Sequence, residues 1–293
     1  DGEWKKRKDL LVIVCGSYVG FMEREVLGEK SPLFGRRTGQ IFLKPFSYQE
    51  AALFHPSWSH TDHAKAYFVC GGIPLYILFF SEQRTLSKNI ELNFFSEFSP
   101  LFREVDFLLR EELRELQKYY GILMSLASGA CASKDIAKDL GLDDRKLYYY
   151  LQTLVDLGYV RRHFPLATEK PAANDVKFIL ADPLLKFWFR FVYPHMGYIG
   201  QMGPKESFQN LVKPHLDQYF GKCFEVLCRE ALAFLYKEQA ITTQFEVGGY
   251  WNKFIQVDVV GYRKNEGIDL GECKWGTKSV TPSVVDQLKE KME

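Results

Sequence analysis

The segment from Phe254 to Trp275 admits few folds other than a β-hairpin. Phe254-Ile255-Gln256-Val257-Asp258-Val259-Val260-Gly261-Tyr262 is rich in β-branched and aromatic residues, and Ile268-Asp269-Leu270-Gly271-Glu272-Cys273-Lys274-Trp275 returns after the turn cluster Arg263-Lys264-Asn265-Glu266-Gly267. With Tyr262 facing Ile268, Asp258 falls opposite Glu272. Side chains alternate along a strand, so Glu272 and Lys274 share a face. Two carboxylates and an ammonium on one surface suit a divalent metal and phosphodiester chemistry: hard oxygen ligands, with a cation near the attacking water. A hairpin carrying solvated charges is the plainer alternative.

The chain has 293 residues, enough for two or three units of ordinary size. Hydrophobic residues make up 46% and aromatics 15%, which supplies real cores and argues against disorder. A net charge of +1 gives no global basic field. The six cysteines form no CxxC pair and no metal-ligand spacing, as expected of free thiols in a reducing, cytoplasmic setting. No stretch approaches the roughly 20 apolar residues of a membrane span. The charged opening Asp1–Asp9 and the helix begun at Val284 lead us to expect that both ends are cuts through larger domains.

Leu10–Cys15 has the continuous apolar pattern of a parallel strand covered on both faces, and Gly16-Ser17 ends it at the carboxyl edge of a sheet. Gln40–Pro45 is expected to form a further short strand. From Ser47 to about Ser99 the pattern is helical, broken by Gly71-Gly72-Ile73-Pro74. Three helices follow: Tyr119–Ala127, Ser133–Leu140 stopped by Gly141, and one capped by Asp143 and closed by Gly158. Strands over 159–164 and 176–180 then give a winged helix-turn-helix layout. Its second half carries Arg161 and Arg162, the basic pair best placed for phosphate. The expected recognition helix, with Asp143, Asp144, Arg145, Lys146 and Asp156, is net negative. A structural linker is therefore favoured over a DNA reader. Phe187–Phe191 is aromatic on all sides and so belongs in a core. His60-x-x-His63 lies among loop-forming residues and suggests no metal.

In this order the chain resembles archaeal-type P-loop ATPases of the STAND/AAA-related group, which carry a winged helix and a C-terminal PD-(D/E)xK nuclease-like domain. Cys15-Gly16-Ser17, the Ser31–Thr38 loop, Gly71–Tyr76, Asp182–Phe191 and Gly271–Trp275 carry the resemblance. It implies a multidomain α/β plus all-α architecture. Residues 1–46 would be the C-terminal part of a P-loop α/β core, 47–101 a helical lid, 102–200 a winged helix with its connecting aromatic helix, and 201–293 a truncated restriction-endonuclease-like domain. The resemblance places Ser17, Arg36 and Arg37 near ATP phosphates, and Gly72 and Pro74 near the adenine.

No G-x-x-x-x-G-K-[ST] occurs, so the chain by itself is expected not to hydrolyse ATP. In the nuclease-like part the resemblance makes Glu225, Asp258 and Glu272 ligands of Mg²⁺ or Mn²⁺. Lys274 would orient or help deprotonate the attacking water, and Gln287 resembles the glutamine that some members add to the catalytic site. Residues 221–293 carry ten basic against eleven acidic side chains, which promises no DNA-binding field. Two functions follow from the resemblance: ATP-regulated, Mg²⁺-dependent action on DNA, or a nucleotide-regulated scaffold that binds a protein partner or its own copies without cutting.

Overall fold

A computed structural model describes residues 7, 9–16, 28–29, 31, 34, 38–166, 175–239, 241, 243–276 and 281–291. It is mixed α/β, mostly helical, with two small antiparallel sheets. It divides into two compact units, Asp1–Leu43 and Lys44–Glu293. Ser17, Arg36 and Arg37, the expected phosphate-side residues, lie outside the described residues.

In the first unit the expected strand over Leu10–Cys15 is not formed. Its residues join no ladder among the described residues, and Leu11 and Ile13 are 79% and 77% exposed. Residues 40–45, which run from the first unit into the second, likewise join no ladder among the described residues, with Ile41 85% exposed. An apolar run becomes a strand only when neighbours take its backbone hydrogen bonds and cover its faces.

The second unit begins with α1 (Tyr48–Ala52), α2 (His60–Cys70), α3 (Pro74–Leu78) and α4 (Leu86–Phe94). Short polar side chains start three of these by accepting the orphan N–H of the first turn. Ser47 accepts from Glu50, Ser59 from Asp62 and Thr85 from Lys88. The Ser59 cap corrects the expectation of a loop at His60 and His63, since both stand in the first turns of α2. Gly72 closes against residue 46, whose N–H donates to the Gly72 carbonyl at 2.8 Å. Pro74 then opens α3 at its first position, where a missing N–H costs nothing.

Next come α5 (Glu104–Glu112), α6 (Leu116–Ser128), α7 (Ser133–Leu140) and α8 (Asp144–Asp156). Asp143 Oδ1 caps α8 by accepting from the Lys146 N–H at 2.9 Å. A hairpin of β1 (Val160–His163) and β2 (Lys177–Leu180) follows, with Val160 opposite Leu180.

The aromatic segment starts as α9 (Pro183–Phe187), widens into a π-turn over Trp188–Val192 and tightens into a 3₁₀ turn over Tyr193–His195. After α10 (Met196–Ser207), broken at Gly203–Pro204, the same device recurs as a π-turn over Phe208–Val212 and a 3₁₀ turn over Lys213–His215. Both copies carry Val-x-Pro-His. Proline cannot donate the next helical hydrogen bond, so the turn ahead of it widens and the turn at it tightens. Phe187, Trp188 and Phe189 are fully buried, and Trp188 Nε1 donates to the Phe102 carbonyl at 2.8 Å. Each such side chain contributes about 1.5–3 kcal/mol by leaving water. Buried residues from α1 through Cys223 form one continuous core, so the segments expected as lid, winged helix and nuclease-like domain pack on shared ground.

The long α11 (Leu216–Glu238) leans on a three-stranded sheet, β3 (Phe245–Trp251), β4 (Gln256–Arg263) and β5 (Gly267–Gly271), in that order. A last helix, α12, covers Pro282–Glu290. The loop after β1 clasps β3: the Leu166 N–H donates to the Gly249 carbonyl at 2.8 Å. Asp175, two residues ahead of β2, adds a second tie, as Trp251 Nε1 donates to its carbonyl at 3.0 Å. Among the described residues no helix is long and apolar enough to cross a membrane.

Candidate functional site: a basic cleft with two carboxylates on its wall

The β4–β5 register is the one the residues demand, with Tyr262 opposite Ile268 and Val259 opposite Gly271. The ladder stops there, so Asp258 and Glu272 occupy the next rung just beyond its end. The chain turns at that rung and presents the Cys273 N–H to Asp258 Oδ2 at 3.0 Å. Asp258 Oδ1 faces Gln256 Nε2 at 3.4 Å. Glu272 is held twice, by Lys274 Nζ on Oε1 at 2.9 Å and by Lys291 Nζ on Oε2 at 3.0 Å. Burial works against the Glu272 charge, but the two lysines outweigh it and hold the carboxyl below its ordinary range. Glu225 on α11 accepts from Lys222 Nζ at 2.8 Å. Gln287 on α12 is exposed. Lys291, the residue that caps the end of α12, makes the contact to Glu272.

These positions decide how well the three carboxylates fit a divalent ion. Both oxygens of Glu272 are committed to lysines, and among the described residues no three His, Cys, Asp or Glu gather closely enough to share a metal. As arranged, the set does not fit one. Gly72 and Pro74 stand at the start of α3, where Gly72 packs on the backbone of residue 46.

Glu225 and Asp258 instead form part of the wall of a cleft of about 420 Å³ between α6, the β1–β2 hairpin, α11 and the β3–β4 edge. Six cations line it: Arg161, Lys177, Lys186, Arg190, Lys222 and Arg229. Strand alternation explains why only one of the paired arginines on β1 takes part. Arg161 faces the cleft, while Arg162 turns to the other side and donates to Gln152 of α8. Helix α11 contributes Gln218, Lys222, Glu225 and Arg229, spaced by four, three and four residues and so forming one stripe. The bulge between Gly248 and Tyr250 makes room for Arg229. A Cβ on Gly249 would stand 3.1 Å from Arg229 Nη1, which donates to the Asp258 carbonyl at 2.7 Å.

The electrostatics are those of a site short of negative charge. Burial, and after it the charges of Arg229, Arg161 and Lys177, push the His163 imidazole down to about 4, so it is neutral at pH 7. Burial also lowers Lys177, and Lys222 and Arg229 lower it further. Lys177 Nζ sits 4.2 Å from the centroid of Trp251, whose ring lies 4.7 Å from that of His163 at 33°. The nearly balanced charge counted over residues 221–293 misses this concentration. The α11 stripe was a sequence signal for half of it; the meeting with Arg161, Lys177, Lys186 and Arg190 is tertiary.

A family model named DUF234 and described as "Archaea bacterial proteins of unknown function" matches residues 188–285, which hold Asp258, Glu272 and Lys274. The chain is also similar to an uncharacterized protein of Methanocaldococcus jannaschii, 28% identical over 276 residues. That match takes in 90% of this chain and 59% of the relative, so the chain spans well under two thirds of the curated protein's length. No solved structure matches.

Proposed function

We propose that the Lys44–Glu293 unit binds nucleic acid through this cleft, as the effector part of an ATP-regulated protein akin to the archaeal-type P-loop ATPases. In this reading α6 to β2 serve as a winged helix and α11 to α12 as a nuclease-like domain whose carboxylates flank the bound strand. One observation carries it: six cations converge on a cleft that offers two carboxylates in return. Like charges gathered at that density favour a polyanion, because each phosphate neutralised relieves repulsion and releases counterions. The ATP half rests on the sequence resemblance and belongs to the longer protein.

Equilibrium binding of a labelled oligodeoxynucleotide at several salt concentrations tests the reading. About five or six phosphate contacts give a slope of log K against log salt near −4 for a single strand, falling by roughly one and a half in Arg161→Ala/Lys222→Ala. Binding that ignores salt, or no binding, defeats it. A second reading, metal-dependent cleavage, draws on the Asp258–Glu272 rung and requires Glu272 to leave Lys274 and Lys291. Incubation of the longer protein with DNA and Mn²⁺ decides it, since cleavage must appear and must vanish in Asp258→Asn.

A further inference from the structure

The cleft is small for a duplex. A pocket of about 300–1,000 Å³ holds a drug-sized molecule, so 420 Å³ accommodates about one nucleotide at a time. Beside it the β3–β4 connection carries an aromatic side chain in an unusual position. Phe254 is 92% exposed. It follows Trp251 by three residues and precedes Gln256 by two, and both of those line the cleft.

The turn that displays Phe254 is fixed rather than loose. Asn252 Oδ1 accepts from the N–H groups of Phe254 and Ile255, each at 2.8 Å, and the Asn252 N–H donates to the Ile255 carbonyl at 2.9 Å. The side chain of Asn252 in turn donates to the Tyr250 hydroxyl at 3.1 Å. A large ring held out in water on a rigid turn, next to a cationic channel and preceded by Lys253, has the two components of single-strand recognition: a charged track for the backbone and a face for a base.

We propose that the cleft takes an unpaired nucleic-acid strand rather than a duplex, and that Phe254 stacks on a base at its mouth. The proposal rests on the nucleic-acid reading above. Paired bases expose no face to Phe254, whereas every unpaired base does, so the contact selects strand state without selecting sequence.

Fluorescence anisotropy with a labelled 15-nucleotide deoxy strand and with the same sequence as a duplex separates the possibilities. The single strand is expected to bind at least about tenfold more tightly than the duplex. Phe254→Ala should weaken single-strand binding by roughly tenfold or more, the range of one base–aromatic stack. Phe254→Trp should restore it, and both variants should keep the wild-type salt slope, because no phosphate contact is lost. Equal affinity for the duplex, or wild-type binding by Phe254→Ala, overturns the proposal while leaving the nucleic-acid reading intact. Failure of both oligonucleotides to bind, or binding without salt dependence, overturns that reading instead.

Discussion

The Arg229 guanidinium donates from Nη1 to the main-chain carbonyl of Asp258 at 2.7 Å, pinning α11 to the strand that carries the cleft carboxylate. Asp258 is 8% exposed, so without Arg229 its carbonyl loses a partner that water reaches poorly. Arg229→Met keeps the aliphatic stem and removes the donor. It should cost about 1–3 kcal/mol in urea unfolding and reduce the salt slope of nucleic-acid binding. Arg229→Lys should retain most of the slope, since the charge stays, yet recover less of the stability, because an ammonium does not reproduce the reach of the guanidinium. Equal stability of the wild type and Arg229→Met would show that the tie is not formed in solution.

His163 gives a pH prediction with a definite sign. Its folded value near 4 lies below the ordinary value of 6.5, so the unfolded chain takes up the proton first as pH falls. The associated stability is complete above about 6.5 and is lost between there and about 4. Because the ring is partly open to solvent, the loss is on the order of 1–2 kcal/mol. His163→Gln should therefore lose less stability than the wild type between pH 7.5 and pH 4.5 in parallel urea titrations. Bound phosphate should raise the His163 value, so nucleic-acid affinity should rise from pH 7 to pH 5 in the wild type and stay flatter in the variant.

At the other end of the unit, Gly72 tolerates no side chain. A Cβ there would stand 1.9 Å from the carbonyl oxygen of residue 46, and that atom is backbone with no rotamer to yield. Gly72→Ala should cost more than about 3 kcal/mol, above the usual range for overpacking. Thermal unfolding of Gly72→Ala beside Gly141→Ala is informative. Gly141 is also a glycine, with φ of 61° but open space around its Cβ, so it carries backbone strain alone and should lose less.

The hairpin register was legible because Tyr262 and Val260 stand opposite Ile268 and Leu270 on one face, and a slip of one residue would reverse every face. The helix Ser133–Leu140 and the Asp143 cap were legible for similarly local reasons, the glycine at 141 that stops the one and the carboxylate that starts the next. The same rule, applied to Ser59 and Asp62, would have placed His60 and His63 on a helix. Leu10–Cys15 shows the limit of hydropathy, which registers what a segment would bury and not whether anything covers it. The cleft was missed because charges were counted along the chain. The basic excess appears only when α11, β1, β2 and the aromatic segment bring distant residues together.

The Glu272 carboxylate is the one place where stability and the cleavage reading make opposite demands. Lys274 and Lys291 occupy its two oxygens, and the Lys291 contact is what ties the end of α12 to the sheet. The carboxylate is 18% exposed against 48% and 28% for its lysines, so solvent screens each pair and together they contribute about 1 kcal/mol. Glu272→Gln should lose about that much, and Lys291→Ala somewhat less. The double variant should fall short of their sum, because both changes remove one shared interaction. Amide exchange across α12 should quicken in both single variants. Additive losses in the cycle would mean that Lys291 and Glu272 do not meet, leaving the carboxylate free for another partner. Coupling of the expected size means that any ligand claiming Glu272 must first displace Lys291.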